Sequence, residues 1–310
     1  MNFIYGPIPS RRLGRSLGVS PIPERTCNYT CIYCQLGRTK HMGNTRKMFY
    51  PVQDIVKEFL SYQKDAKDKF DVVSIVGDGE PTLYSGIGEL ILELKKYTKK
   101  PIAVITNGAL LYDEKVRKEL LNADVVLPTI AAADEEVYKK IHRPFGLLDY
   151  EEVFHGLELF SKEYQGQLWL ELILVGGIND STEYLKKLKA KMKNIRRDKI
   201  YVNTAVRPPA EDYVKKSTHK EIIEAVKIFD AICIDELVKG NFYSDLEDNF
   251  ESILNISQRH PMTSFEISSF LQARKEKDIP AIFKRLAEDN RVYIANFNGI
   301  STYRVDDYRS

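Results

Sequence analysis

Three cysteines fall in one short stretch, Thr26-Cys27-Asn28-Tyr29-Thr30-Cys31-Ile32-Tyr33-Cys34, at the spacing C-x3-C-x2-C. Thiolate is the soft ligand that iron–sulfur clusters and zinc select. A disulfide fits poorly, because three is odd and the neighbours lie too close along the chain to pair well. The count sets the chemistry. A cubane [4Fe–4S] cluster usually takes four cysteines, so three leave one iron with an open position. Zinc would need a fourth protein ligand, and His41 is the nearest candidate. Three reduced core cysteines are the plainest alternative. Cys233 lies far off between Ile232 and Ile234, the setting of an inert buried thiol.

The elements that must position these thiols alternate. Ser16–Ser20 reads as a short first strand, followed by the cysteine loop. Helical spacing after Pro51 brings Ile55, Val56, Phe59 and Leu60 to one face. Residues 70–76 form a β-branched run expected to be a buried strand, ending in Gly77-Asp78-Gly79-Glu80-Pro81. Further strands are expected at 102–105, 124–129, 168–175 and 200–203, with helices near 87–94, 112–121, 134–141, 149–163, 181–192 and 218–230. Six β/α units in series predict an α/β fold with a parallel sheet flanked by helices. Such sheets carry their chemistry at the C-terminal ends of the strands. Arg143 and Arg207, each followed by proline, fall in loops at or near that face. There a guanidinium can clamp an anion or simply form a surface ion pair.

The C-x3-C-x-aromatic-C pattern, with Tyr33 before the last cysteine, resembles the radical S-adenosylmethionine (radical SAM) superfamily. The resemblance covers most of residues 1–230 and is strongest to a group of archaeal and bacterial iron–sulfur oxidoreductases, with a more distant likeness to wybutosine-synthesis radical enzymes. It implies a six-unit partial (β/α) barrel, which periodicity alone does not separate from an open doubly wound sheet. It implies that Cys27, Cys31 and Cys34 ligate a [4Fe–4S] cluster whose open iron binds S-adenosylmethionine (SAM). Reductive cleavage would then give a 5′-deoxyadenosyl radical, with the electron from a flavodoxin- or ferredoxin-like donor. The same resemblance assigns SAM contacts to Gly77, Gly79, Glu80, Asn107, Thr129 and Gly177, and places Tyr33 near the adenine. With no second cysteine cluster in the sequence, the chemistry of relatives that need an auxiliary cluster is not carried over.

Composition narrows the setting. Hydrophobic residues make up 43% and charged ones 29%, the mix of a soluble globular protein. No apolar run approaches the roughly 20 residues of a membrane span, and residues 1–7 lack the basic start and long apolar core of a signal peptide. A cytoplasmic, reducing location is expected. Net charge is only +2, yet residues 1–50 hold eight basic side chains against Glu24 alone, a local +7. A solvated face and a rim for anions such as RNA phosphates both account for it. Arg11 and Arg12 would belong to that rim.

After residue 240 the pattern changes. A helix is expected over 246–259, a second from the capping box Thr263-Ser264-Phe265-Glu266, and a third beginning at Pro280. A hairpin follows, turning at Asn298-Gly299. The layout divides the chain into a barrel over 1–240 and a winged-helix-like domain over 246–310. That domain holds nine basic and ten acidic side chains, a poor balance for phosphate binding, although Lys284 and Arg285 on the third helix keep an RNA role open. RNA, a protein or a glycyl-radical enzyme is therefore a candidate substrate. A zinc-dependent nucleic-acid-binding protein is the alternative of another class.

Overall fold

The computed structural model describes residues 3–66, 69–234, 242–244, 246–297 and 300–305. An antiparallel hairpin of β1 (Ile4–Ser10) and β2 (Gly14–Val19) opens the chain. The cysteine loop carries two short paired strands, β3 (Thr26–Cys27) and β4 (His41–Met42). Then come α1 (Val52–Ala66), β5 (Val72–Ile75), α2 (Ile87–Tyr97), β6 (Ile102–Thr106), α3 (Glu114–Leu120) and β7 (Val125–Ile130). After these follow α4 (Glu135–His142), α5 (Tyr150–Glu163), β8 (Gln167–Leu174), α6 (Thr182–Lys191), β9 (Lys199–Thr204), α7 (His219–Phe229) and β10 (Ile232–Cys233).

The main sheet runs β1-β2-β5-β6-β7-β8-β9-β10. From β2 to β10 every pairing is parallel. The fold is α/β with a mostly parallel central sheet, and its two edge strands, β1 and β10, are not paired to each other. All six expected strands are present. Two more were not expected: β1, which contains Pro7 and Pro9, and the two-residue β10. Residues such as Leu17, Val73, Val104, Val126, Leu170 and Val202 are almost wholly buried. A parallel sheet covered by helices requires this, and apolar burial is the main force that holds it.

Helix starts follow capping chemistry. Asp113, Asp134, Asp149 and Ser181 each accept a backbone N–H at the head of α3, α4, α5 and α6. Thr218 and Glu221 form a full capping box on α7.

The C-terminal segment comprises α8 (Asn249–Arg259), β11 (Met262–Thr263), α9 (Ser264–Ala273), α10 (Ile279–Glu288), β12 (Val292–Phe297) and β13 (Ile300–Val305). Its antiparallel sheet has the order β11-β13-β12. The expected capping box on Thr263 and Glu266 is present. The expected turn at Asn298-Gly299 lies outside the described residues. Ile253, Ile256, Met262, Ile267, Phe270 and Leu286 form an apolar core that also takes in Tyr5 and Ile8 of β1. The first strand and the last hairpin therefore share one packed interior.

Candidate cluster and cofactor site

The cysteine loop is tied down from three sides. At its start the Thr26 carbonyl accepts the Glu80 N–H at 3.0 Å. Gly79 lies so close that a Cβ there would overlap the Thr26 carbonyl oxygen. At Gly77 an added Cβ would come 2.5 Å from Ile22 Cδ1. Both glycines thus permit close approach of the chain to itself. On the second side, Thr30 N donates to the His142 carbonyl at 3.1 Å and Ile32 N to the Ile141 carbonyl at 2.9 Å, fixing the loop to the end of α4. On the third, Glu211 N donates to the Ile32 carbonyl at 3.2 Å.

Each sulfur has a neighbour from elsewhere in the fold. Cys27 Sγ accepts from Tyr29 N at 3.4 Å and lies 3.7 Å from Asn107 Nδ2. Asn107 Nδ2 also donates to Asn28 Oδ1 at 2.7 Å, so the end of β6 orients the first cysteine. Cys31 Sγ is 3.3 Å from His142 Nδ1. Burial alone depresses the His142 pKa to about 3, so the ring is neutral at ordinary pH. All three thiols are free and half-buried. Burial raises their pKa values, and at Cys31 the nearby Cys27 and Cys34 raise it further.

These thiols are close enough to feel one another. Yet among the described residues no three His, Cys, Asp or Glu side chains gather to hold a single metal ion. His41, the candidate fourth zinc ligand, is exposed on β4.

Glu80 was expected among the SAM contacts. In this structure its buried carboxylate serves protein donors: Thr82 N at 3.0 Å, Thr82 Oγ1 and Thr106 Oγ1 each at 2.6 Å, and Asn107 N at 2.7 Å. Burial raises its pKa against the pull of these bonds. The carboxylate thereby joins the ends of β5 and β6.

A cavity of about 410 Å³ opens beside the third cysteine. Tyr33, Cys34, Gly77 and Thr129 line it, with Asn203 from β9 and Arg259 and His260 from the C-terminal segment. Its size is within the range of small-molecule sites. Asn107 and Thr129 line a smaller adjoining hollow of about 40 Å³. Gly177 is not among the residues lining either one. It is exposed at φ +74°, with its N–H held by Asp180 Oδ1 at 2.9 Å.

The expected cationic rim is largely paired internally. Carboxylates face six of the eight basic side chains in residues 1–50: Arg12 with Glu171, Arg15 with Asp71, Arg25 and Lys40 with Glu24, Arg38 with Glu211, and Arg46 with Glu119. Arg143 is likewise engaged, with Glu211 at 2.5 Å and Tyr213 at 2.9 Å. Arg207 donates to the Pro261 carbonyl at 2.8 Å and to Glu266 at 3.0 Å, binding the C-terminal segment to the loop after β9. Neither arginine is left as the anion clamp the loops suggested. Sequence reasoning missed His142, Arg259 and Arg304 as neighbours of the site. His142 stood next to Arg143 in the motif read for its arginine, and no spacing linked it to Cys31.

The chain belongs to the radical SAM superfamily, whose profile matches residues 22–188. It is an enzyme, and its cofactors are a [4Fe–4S] cluster and SAM. Among proteins, it is 35% identical to a UPF0026 protein of Methanocaldococcus jannaschii, over 87% of this chain and 86% of that one. It is also 34% identical to a protein named GTPase Obg from Brachyspira hyodysenteriae, over 98% of this chain but only 45% of that protein's length. Among solved structures, a radical SAM methyltransferase from Sphaerobacter thermophilus has the same fold, with a TM-score of 0.51 at 14% identity, covering 71% of this chain and 68% of that one.

Proposed function

We propose that Cys27, Cys31 and Cys34 hold the [4Fe–4S] cluster and that the 410 Å³ cavity beside them receives SAM and substrate. The observation that carries this reading is the placement of three free thiols on one loop, with Cys34 in the cavity wall at the C-terminal ends of the strands. When bound, the cofactors supply a 5′-deoxyadenosyl radical that abstracts hydrogen from the substrate.

The chain's own residues orient and shield. Asn107 fixes Cys27, and His142 and Tyr33 flank Cys31. Glu80 holds the ends of β5 and β6 in register for a ligand at Gly77 and Thr129. A flavodoxin or ferredoxin of a reducing cytoplasm is the proposed electron donor.

The C-terminal segment, with three helices and a three-stranded sheet, has the composition of a winged helix beginning near residues 240–246, and its apolar cluster also packs on Tyr5 and Ile8 of β1. Its cations are largely occupied. Arg274 caps the carbonyls of Ser244 and Leu246, Arg285 lies 4.0 Å over the Phe250 ring, and Arg291 pairs with Asp289. This favours a structural or protein-contacting role over phosphate binding. With the N-terminal cations also paired, a protein substrate is the better-supported reading and RNA the competitor.

Anaerobic reconstitution tests the core of the proposal. Iron and sulfide should both load, and dithionite with SAM should give 5′-deoxyadenosine. A zinc-loaded, colourless protein would overturn it. Co-purified RNA released steeply by salt would transfer the substrate assignment to RNA.

A further inference from the structure

We infer that Arg304, on the last strand of the C-terminal segment, is a positioning residue of the cluster site that sets how readily a cluster on Cys34 accepts an electron. The inference rests on the cluster reading above. Gly37 closes the turn after Cys34, its N–H donating to the Cys34 carbonyl at 3.1 Å. Arg304 Nη1 lies 3.6 Å from the point where a Cβ on Gly37 would stand, and Arg25 Nη1 lies 3.4 Å from the same point. Two guanidiniums therefore flank the Cys34 turn. Gly37 itself sits at φ +85°, where a side chain would be strained.

The position of Arg304 is fixed by the fold. Nη2 donates to the Pro208 carbonyl at 2.8 Å, and across the hairpin Arg304 pairs with Tyr293.

Adding one electron makes a cluster one charge more negative. A fixed positive charge in a partly desolvated site favours that reduced form, so the potential rises. The guanidinium comes from β13, distant in sequence from the cysteines, which makes electron acceptance depend on the docked C-terminal segment.

The test is a potentiometric titration of reconstituted full-length protein, followed by the electron paramagnetic resonance signal of the reduced cluster. Arg304→Gln should shift the midpoint to a more negative potential, and Arg25→Gln should shift it the same way. Arg304→Lys, which keeps the charge, should stay near wild type. An unchanged midpoint in a fully loaded Arg304→Gln protein overturns the inference. Should Arg304→Gln fail to load, wild-type loading and midpoint in Arg304→Lys support the charge role. Failure of both variants makes Arg304 merely structural and also overturns it. Failure of the cluster reading itself is separately visible, as wild-type protein without iron and sulfide.

Discussion

Asp78 Oδ2 lies 3.4 Å from Arg259 Nε, joining the turn after β5 to the last turn of α8. Arg259 also stacks 5.0 Å over the Tyr5 ring, so one side chain contacts both the motif loop and the first strand. The carboxylate is not fully compensated. Burial raises its pKa from 3.8 to about 6, outweighing the opposing pull of Arg259.

A carboxyl whose folded pKa is raised stabilises the fold most when protonated. That contribution is full below pH 3.8 and is lost as pH rises through about 6. The shift corresponds to about 3 kcal/mol, as an order of magnitude. Asp78→Asn should therefore be more stable than wild type at pH 7.5 by about 1–3 kcal/mol, and the difference should vanish near pH 4. Urea unfolding at the two pH values measures this. A variant destabilised equally at both would show that pairing with Arg259 dominates.

Single serine substitutions at Cys27, Cys31 and Cys34 should each abolish the broad visible absorbance of the reconstituted protein and lower its bound iron and sulfide. Cys233→Ser should leave all three unchanged. Cys233 is 6% exposed and packs in β10 opposite Val202 of β9, within the main apolar core.

Gly79→Ala should cost about 1–3 kcal/mol or more, the usual scale of overpacking. Its Cβ would meet the backbone of Thr26, which has no side-chain freedom with which to yield. Gly43→Ala is the control, because nothing lies within 4 Å of a Cβ there. Denaturation midpoints should separate the two. Equal midpoints would mean the Thr26 strand moves aside freely.

Glu211 clasps Arg38 through both oxygens at 2.9 Å and Arg143 at 2.5 Å. The bond to Arg38, followed by that to Arg143, holds its pKa below the usual glutamate range. Stability from a lowered carboxyl is present at neutral pH and is lost as pH falls through its folded pKa. In Glu211→Gln, hydrogen exchange at the amide of residue 211, which donates to the Ile32 carbonyl, should accelerate at pH 7. At pH 3 the wild type should approach the variant. Equal exchange at pH 7 would remove the clasp from the account of how the loop is held.

The parallel sheet was legible because its strands are largely apolar runs and most of its flanking helices begin at side-chain caps, both local signals. Ile102–Thr106 and Gln167–Leu174 announce themselves in this way. β1 did not, since Pro7 and Pro9 break the strand pattern and its partner β2 is itself glycine-interrupted. The cysteines were legible as a spacing. Their surroundings were not, because an ion pair between Arg38 and Glu211, or a contact between Cys31 and His142, joins residues more than a hundred positions apart. No periodicity records such pairs. The +7 segment misled for the same reason: its counter-charges come mostly from distant parts of the chain.

The interior shared by Tyr5, Ile8 and the final hairpin has a consequence for biosynthesis. A ribosome must translate β13 before β1 finds all of its partners and before Arg304 can reach the Cys34 turn. Metal delivered to the nascent polypeptide earlier than that would meet the loop without its last wall. Maturation is therefore expected to favour a chain on which β13 has already emerged and docked as the acceptor for iron and sulfide.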